Sequence, residues 1–215
     1  MSTQDNTLAG RPRVDWGRAE FILVALGFVG FITLPIRITT LYSGLPAHPL
    51  FLHVPVILIP VTIVAALISM AKPEWLSRYG IALSIVSIFT MSSVFLTMQA
   101  GGALRAALDL HGEAARLINE HSQAADILAI LYVAFTATLI VAFAACRISA
   151  GRPTGLGIVD RLLSSPAVFA TLRVAVVVLA LGAGFMTFRT GDLGAKAVWQ
   201  GRLEAAEARS SRVGP

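Results

Sequence analysis

The sequence predicts an all-α integral membrane protein: five transmembrane helices, of which four form a four-helix bundle core and one is an extra N-terminal helix, plus a short surface helix. Three observations predict it. Hydrophobic residues make up 56% of the 215-residue chain and charged residues only 13%, whereas a soluble domain is roughly a quarter charged. The mean hydropathy is +0.76. The apolar residues fall in five runs of about the 20 residues that cross a bilayer as a helix, and Lys and Arg fall between the runs. A nucleic-acid surface would gather its cations in one patch, so the net charge of +5 reads as a topology signal. No nucleic acid is expected as a partner; membrane lipids are.

In chain order, residues 1–19 are polar, carry Arg11, Arg13 and Arg18, and read as a cytoplasmic tail. Phe21–Tyr42 is the first span, interrupted by Pro35 and Arg37. Its first part, Phe21–Leu34, also has the length of a signal-peptide core, so a cleaved leader is the alternative there. Leu50–Ala71, Tyr79–Gln99, Ala124–Cys146 and Pro166–Phe188 are the second to fifth spans, which makes 20–200 a transmembrane domain and 201–215 a polar tail. Pro55 and Pro60 free backbone carbonyls in the second span and predict a kink. Gly182 and Gly184, with Ala180 and Ala183, give the fifth span a face for close helix approach. Gly101–Gln123 mixes apolar residues with Arg105, Asp109, Glu113, Arg116 and Glu120, which predicts a helix lying on the membrane surface. No internal repeat stands out.

Lys72 and Arg78, then Arg147, Arg152 and Arg161, together with the basic N-terminal tail, place the N-terminus and two loops in the cytoplasm of a bacterial inner-membrane protein. The C-terminal tail, with Arg189, Lys196, Arg202, Arg209 and Arg212, counts against this, one basic region against three. On this topology all four histidines, His48, His53, His111 and His121, lie towards the outer face.

Neutral imidazole binds haem iron, zinc and copper, and bis-imidazole ligation of a b-type haem takes one histidine from each of two facing helices. His53 and His121 open different spans at similar depth and are the expected haem pair. His48, turned about 140° around the helix from His53, is the weaker ligand. Arg37 and Arg189 are the expected partners of haem propionates. A non-haem metal would take His48, His53, His111 and His121 with Asp192. Plainer readings stand beside these: His48 shapes the loop before Pro49, His53 caps a carbonyl freed by Pro55, His111 is solvated, His121 opens a helix, and the arginines anchor headgroups. Thr190–Gly194 reads either as a sharp turn holding Asp192 towards the histidines or as a helix C-cap. Cys146, the one cysteine, leaves no CxxCH haem attachment and reads as packing. Hydrolase and nucleotide-binding motifs are missing, so the chain is at most a redox protein on this reading.

HPLFLHVP at 48–55, a histidine opening a later span at His121, and a closing Thr190, Gly191, Leu193, Gly194, Val198 and Trp199 together resemble a family of bacterial multispanning membrane proteins, domain of unknown function 2231. The resemblance covers about Pro46 to Gln200 and implies a four-helix core to which the first span is an addition. The family continues its last motif with His and Gly, where this chain has Gln200 and Gly201. Some relatives are fused to Rieske-type or cytochrome c domains, which implies electron transfer with respiratory or redox membrane partners. Two other functions remain: an accessory subunit of a larger membrane complex, or a transporter. A transporter would need polar groups continuing inward, and the cytoplasmic halves of the spans offer few beyond Thr62, Ser69 and Arg173.

Overall fold

In a computed structural model the described residues are 41–42 and 45–212, with side chains from Pro46 to Gln200, together with Ile22, Val24, Leu26, Gly27 and Val29. Most of the first expected span, including Arg37, lies outside them. Its last residues are not helical. Leu41–Tyr42 (β1) pairs antiparallel with Leu45–Pro46 (β2), Leu41 opposite Pro46. Proline has no N–H to give and is tolerated at such an edge.

Five helices follow: α1 (Ala47–Ala71), α2 (Pro73–Ala107), α3 (Gly112–Ser149), α4 (Gly157–Leu163) and α5 (Pro166–Arg212). Four of them, α1, α2, α3 and residues 166–200 of α5, are long and apolar enough to cross a membrane, with mean hydropathies of 2.0 to 2.5. Backbone polar groups have no water to bond in hydrocarbon, so helices that satisfy them internally are the form such runs must take. α1 is unbroken through Pro55 and Pro60.

Two expectations are corrected. The Gly101–Gln123 segment is no separate surface helix: α2 runs to Ala107, a short link bends at Gly112 with φ of 62°, and α3 begins. Its charges belong to two helix ends, where Arg105 bonds Asn119 at 2.8 Å and Arg116 pairs with Glu113 and Glu120. The short exposed helix is α4 instead, in the loop between α3 and α5. Likewise α5 neither turns nor caps at Thr190–Gly194 but continues to Arg212.

Each long helix packs against two others, α1 on α2 and α5, and α3 on α2 and α5, so that α1 and α3 stand across a diagonal. The interior holds Ile59 and Ile63 of α1, Met91 and Val94 of α2, Tyr132, Phe135 and Leu139 of α3, and Val176 and Ala180 of α5. Lipid is as apolar as leucine, so close packing and interhelical hydrogen bonds hold such helices together. Gly80 shows the first device: a Cβ there would stand 2.2 Å from the Phe143 ring, so only glycine lets α3 come so near α2. The outward faces, with Leu50, Ile57, Val61, Ile130, Val174 and Phe185, are exposed and apolar. At the end where α1 meets α2, Lys72 lies over Trp75, Arg78 over Tyr79, Arg147 over Phe143 and Arg173 over Phe169, all within about 6 Å, the pairing of cation and aromatic usual at a membrane surface.

Candidate functional site

At the opposite end, the first turn of α1 and the third turn of α3 bring His48 and His121 together. Their ring centroids are 6.2 Å apart and their planes nearly perpendicular, at 89°. Both rings are partly buried. His48 Nδ1 lies 2.9 Å from the Thr97 carbonyl of α2, and His121 Nδ1 lies 2.8 Å from the Thr190 carbonyl of α5. A carbonyl can only accept, so each Nδ1 carries a proton, which in a neutral imidazole leaves the lone pair on Nε2. That fixed tautomer, with one ring nitrogen donating to a backbone carbonyl, is the usual support of a histidine metal ligand.

The seats of the two rings are alike. The carbonyl of residue i in a helix bonds the N–H of i+4, so a side chain at i+4 crowds that carbonyl. Position i+4 from Thr97 is Gly101, where a Cβ would come 2.9 Å from His48 Nδ1; from Thr190 it is Gly194, where a Cβ would come 3.1 Å from His121 Nδ1. Both helices open at a proline and reach the threonine and glycine at the same offset, Pro73 to Thr97 and Gly101, Pro166 to Thr190 and Gly194. The molecule therefore contains two matching histidine-bearing hairpins, α1–α2 and α3–α5, a repeat too sparse to stand out in the sequence. Beside the second seat, the Thr190 hydroxyl is buried without a hydrogen-bond partner.

The other expected site residues lie elsewhere. His53, rather than His48, is the expected partner of His121, and the geometry is the reverse. Buried Pro55, Thr62 and Ser69 step back by sevens to His48, so His48 lies on the inward stripe of α1 and His53 on its exposed side. His111, just before α3, is exposed and 3.6 Å from Asp109. Asp192 bonds Lys196 at 2.7 Å, one turn along the same helix. Arg189 is exposed next to Thr190. The five-residue metal set is thus not gathered: among the described residues no three His, Cys, Asp or Glu side chains come together in a way that could hold an ion.

Sequence reasoning missed Thr97, Gly101 and a second polar region. Thr62, Ser84, Ser87, Thr90 and Thr136 are buried in the interior, so polar groups do continue inward from the histidines. The signal was there in α2, where Ser84, Ser87, Thr90, Ser93 and Thr97 recur at helical spacing.

A helical membrane protein with four helices able to span and a histidine pair between two of them is the class these features define. Residues 44–207 match the family described as predicted membrane protein, domain of unknown function 2231, and the chain belongs to it. No curated protein and no solved structure matches the chain.

Proposed function

We propose that the protein is an electron-transfer protein of the bacterial inner membrane, in which His48 and His121 hold a b-type haem or another metal. The observation that carries this is the pair of rings, each locked in one tautomer by a carbonyl and seated on a glycine. The two rings stand 6.2 Å apart on different helices, so His48 and His121 would be the residues to hold such a group between them. The group would supply one-electron chemistry; this chain would set the ligand tautomers and shield the site from water. Arg189, beside the carbonyl that fixes His121, would meet a propionate. The basic loops would face the cytoplasm and the histidine end the other side, towards a redox partner.

The test is the visible spectrum of the detergent-purified protein before and after dithionite, with metal analysis of the same sample. A Soret band with sharp α and β bands on reduction is expected, abolished in His48→Ala and in His121→Ala and kept in His53→Ala. A colourless sample without stoichiometric iron, copper or zinc overturns the reading and leaves the accessory-subunit function.

A further inference from the structure

At the basic end, away from the histidine pair, a groove of about 450 Å³ lies between the last turns of α1 and the first turns of α5. Leu67 and Met70 wall it on one side, and Arg173, Val174 and Val178 on the other. Among the described residues every lining side chain but the arginine is apolar. Val174 and Val178 are 64% and 60% exposed, so the groove opens onto a face that hydrocarbon covers.

The arginine stands at the head of this slot. A helical side chain leans towards the N-terminus of its helix, and the Arg173 guanidinium accordingly lies 6.0 Å from the ring of Phe169, one turn back towards Pro166. The lean carries the charge out of the hydrocarbon towards the membrane surface. On the α1 side that surface is marked by Lys72, which directly follows the lining residue Ala71 and lies 5.5 Å from the Trp75 ring centroid. Among the described residues no carboxylate pairs with Arg173. A cation at the edge of hydrocarbon calls for a counter-charge.

We propose that this groove binds an anionic phospholipid, with an acyl chain along Leu67, Met70, Val174 and Val178 and phosphate oxygens accepting hydrogen bonds from Arg173. A planar guanidinium offers phosphate two parallel N–H donors. The lining residues include no carboxylate to hold the ammonium of a zwitterionic headgroup, which favours a lipid of net negative charge. An apolar protein segment would fill the walls and leave the cation unanswered, whereas such a lipid meets both. The site stands apart from the histidines and does not depend on a cofactor there.

The test is native mass spectrometry of the full chain, released from micelles that hold equal amounts of phosphatidylglycerol and phosphatidylcholine. Retention of one phosphatidylglycerol in preference to phosphatidylcholine is expected. Arg173→Gln should cut that preference about fivefold, the worth of one cation at a membrane surface. Arg152→Gln, which removes a like charge from the loop before α4, should leave it unchanged. Val178→Trp fills the groove with the arginine in place; it should lower retention of both lipids, and it supplies the readout should Arg173→Gln fail to fold. No preference in the wild type overturns the proposal, as does an equal loss in Arg152→Gln and Arg173→Gln, which would reduce it to the general attraction of a basic surface. A benzoylphenylalanine in place of Val174 that cross-links to Phe21–Leu34 or to a second copy would show a protein segment in the groove, and overturns it too.

Discussion

The two hairpins solve one problem twice with different surroundings. In α1–α2 the histidine lies in the first turn of its helix, and the hydroxyl of Thr97 is bonded at 2.7 Å to Ser93 of its own helix. In α3–α5 the histidine lies well inside its helix, behind the Arg116 pairs with Glu113 and Glu120, and the Thr190 hydroxyl is buried and unbonded. What stays constant is a carbonyl and the glycine four residues on. The ring is therefore placed by a backbone carbonyl rather than by a neighbouring side chain. The position five residues after each histidine is exposed in both hairpins, His53 in one and Asp126 in the other, so neither hairpin carries a second inward ionisable group at that depth.

The largest break in this equivalence comes from filling the seats. Gly101→Ala puts a methyl group 2.9 Å from His48 Nδ1, and Gly194→Ala puts one 3.1 Å from His121 Nδ1. Each should push its ring off its carbonyl and destabilise by about 1–3 kcal/mol, with Gly101→Ala the more severe. Thermal unfolding of the two variants in detergent measures this, and a clearly larger loss for Gly194→Ala would show that the seats are not equivalent. A smaller contrast separates the threonines. Thr97→Val removes a made hydrogen bond to a carbonyl of its own helix and should cost about 0.5–1.5 kcal/mol. Thr190→Val removes an unmade one and should be neutral or stabilising in protein freed of any bound group. A matching loss in both would mean that the Thr190 hydroxyl has a partner.

How much of this could be read from the sequence depends on how local each signal is. The four long helices are legible because a run of apolar residues needs no distant partner to declare itself. The choice of His48 was legible as well, from the seven-residue steps through Pro55, Thr62 and Ser69, but depth along the span points to His53 and only register points to His48. Gly101 and Gly194 are different. Each is defined by a ring on another helix, and a glycine such as Gly194 inside a Thr-Gly-Asp-Leu-Gly run reads as a turn until that ring is seen against it. The amphipathic pattern of 101–123 misleads for a related reason. Two antiparallel helices leaving the membrane carry charges at their ends in the same mixture as one helix lying flat, and the contact of Arg105 with Asn119 is what tells them apart.

The smallest expected effect lies in the loop that only the second hairpin has. In the first turn of α4, the Asp160 carboxylate accepts hydrogen bonds from the preceding loop: the Thr154 hydroxyl at 2.7 Å, the Thr154 N–H at 2.8 Å and the Gly155 N–H at 3.0 Å. These bonds, the Thr154 hydroxyl first, hold its pKa below the ordinary 3.8. A carboxyl with a lowered folded pKa stabilises the fold above its unfolded pKa, and that contribution is lost as pH falls through the folded value. The loop should therefore hold its structure unchanged from neutral pH down to about pH 4 and loosen only below it. Amide hydrogen exchange at Thr154 and Gly155 reads this directly. Asp160→Asn should raise exchange there at neutral pH and flatten the acid dependence, while leaving the histidine pair untouched. Faster exchange in the wild-type loop between pH 7 and 5 would mean that another titrating group holds the segment.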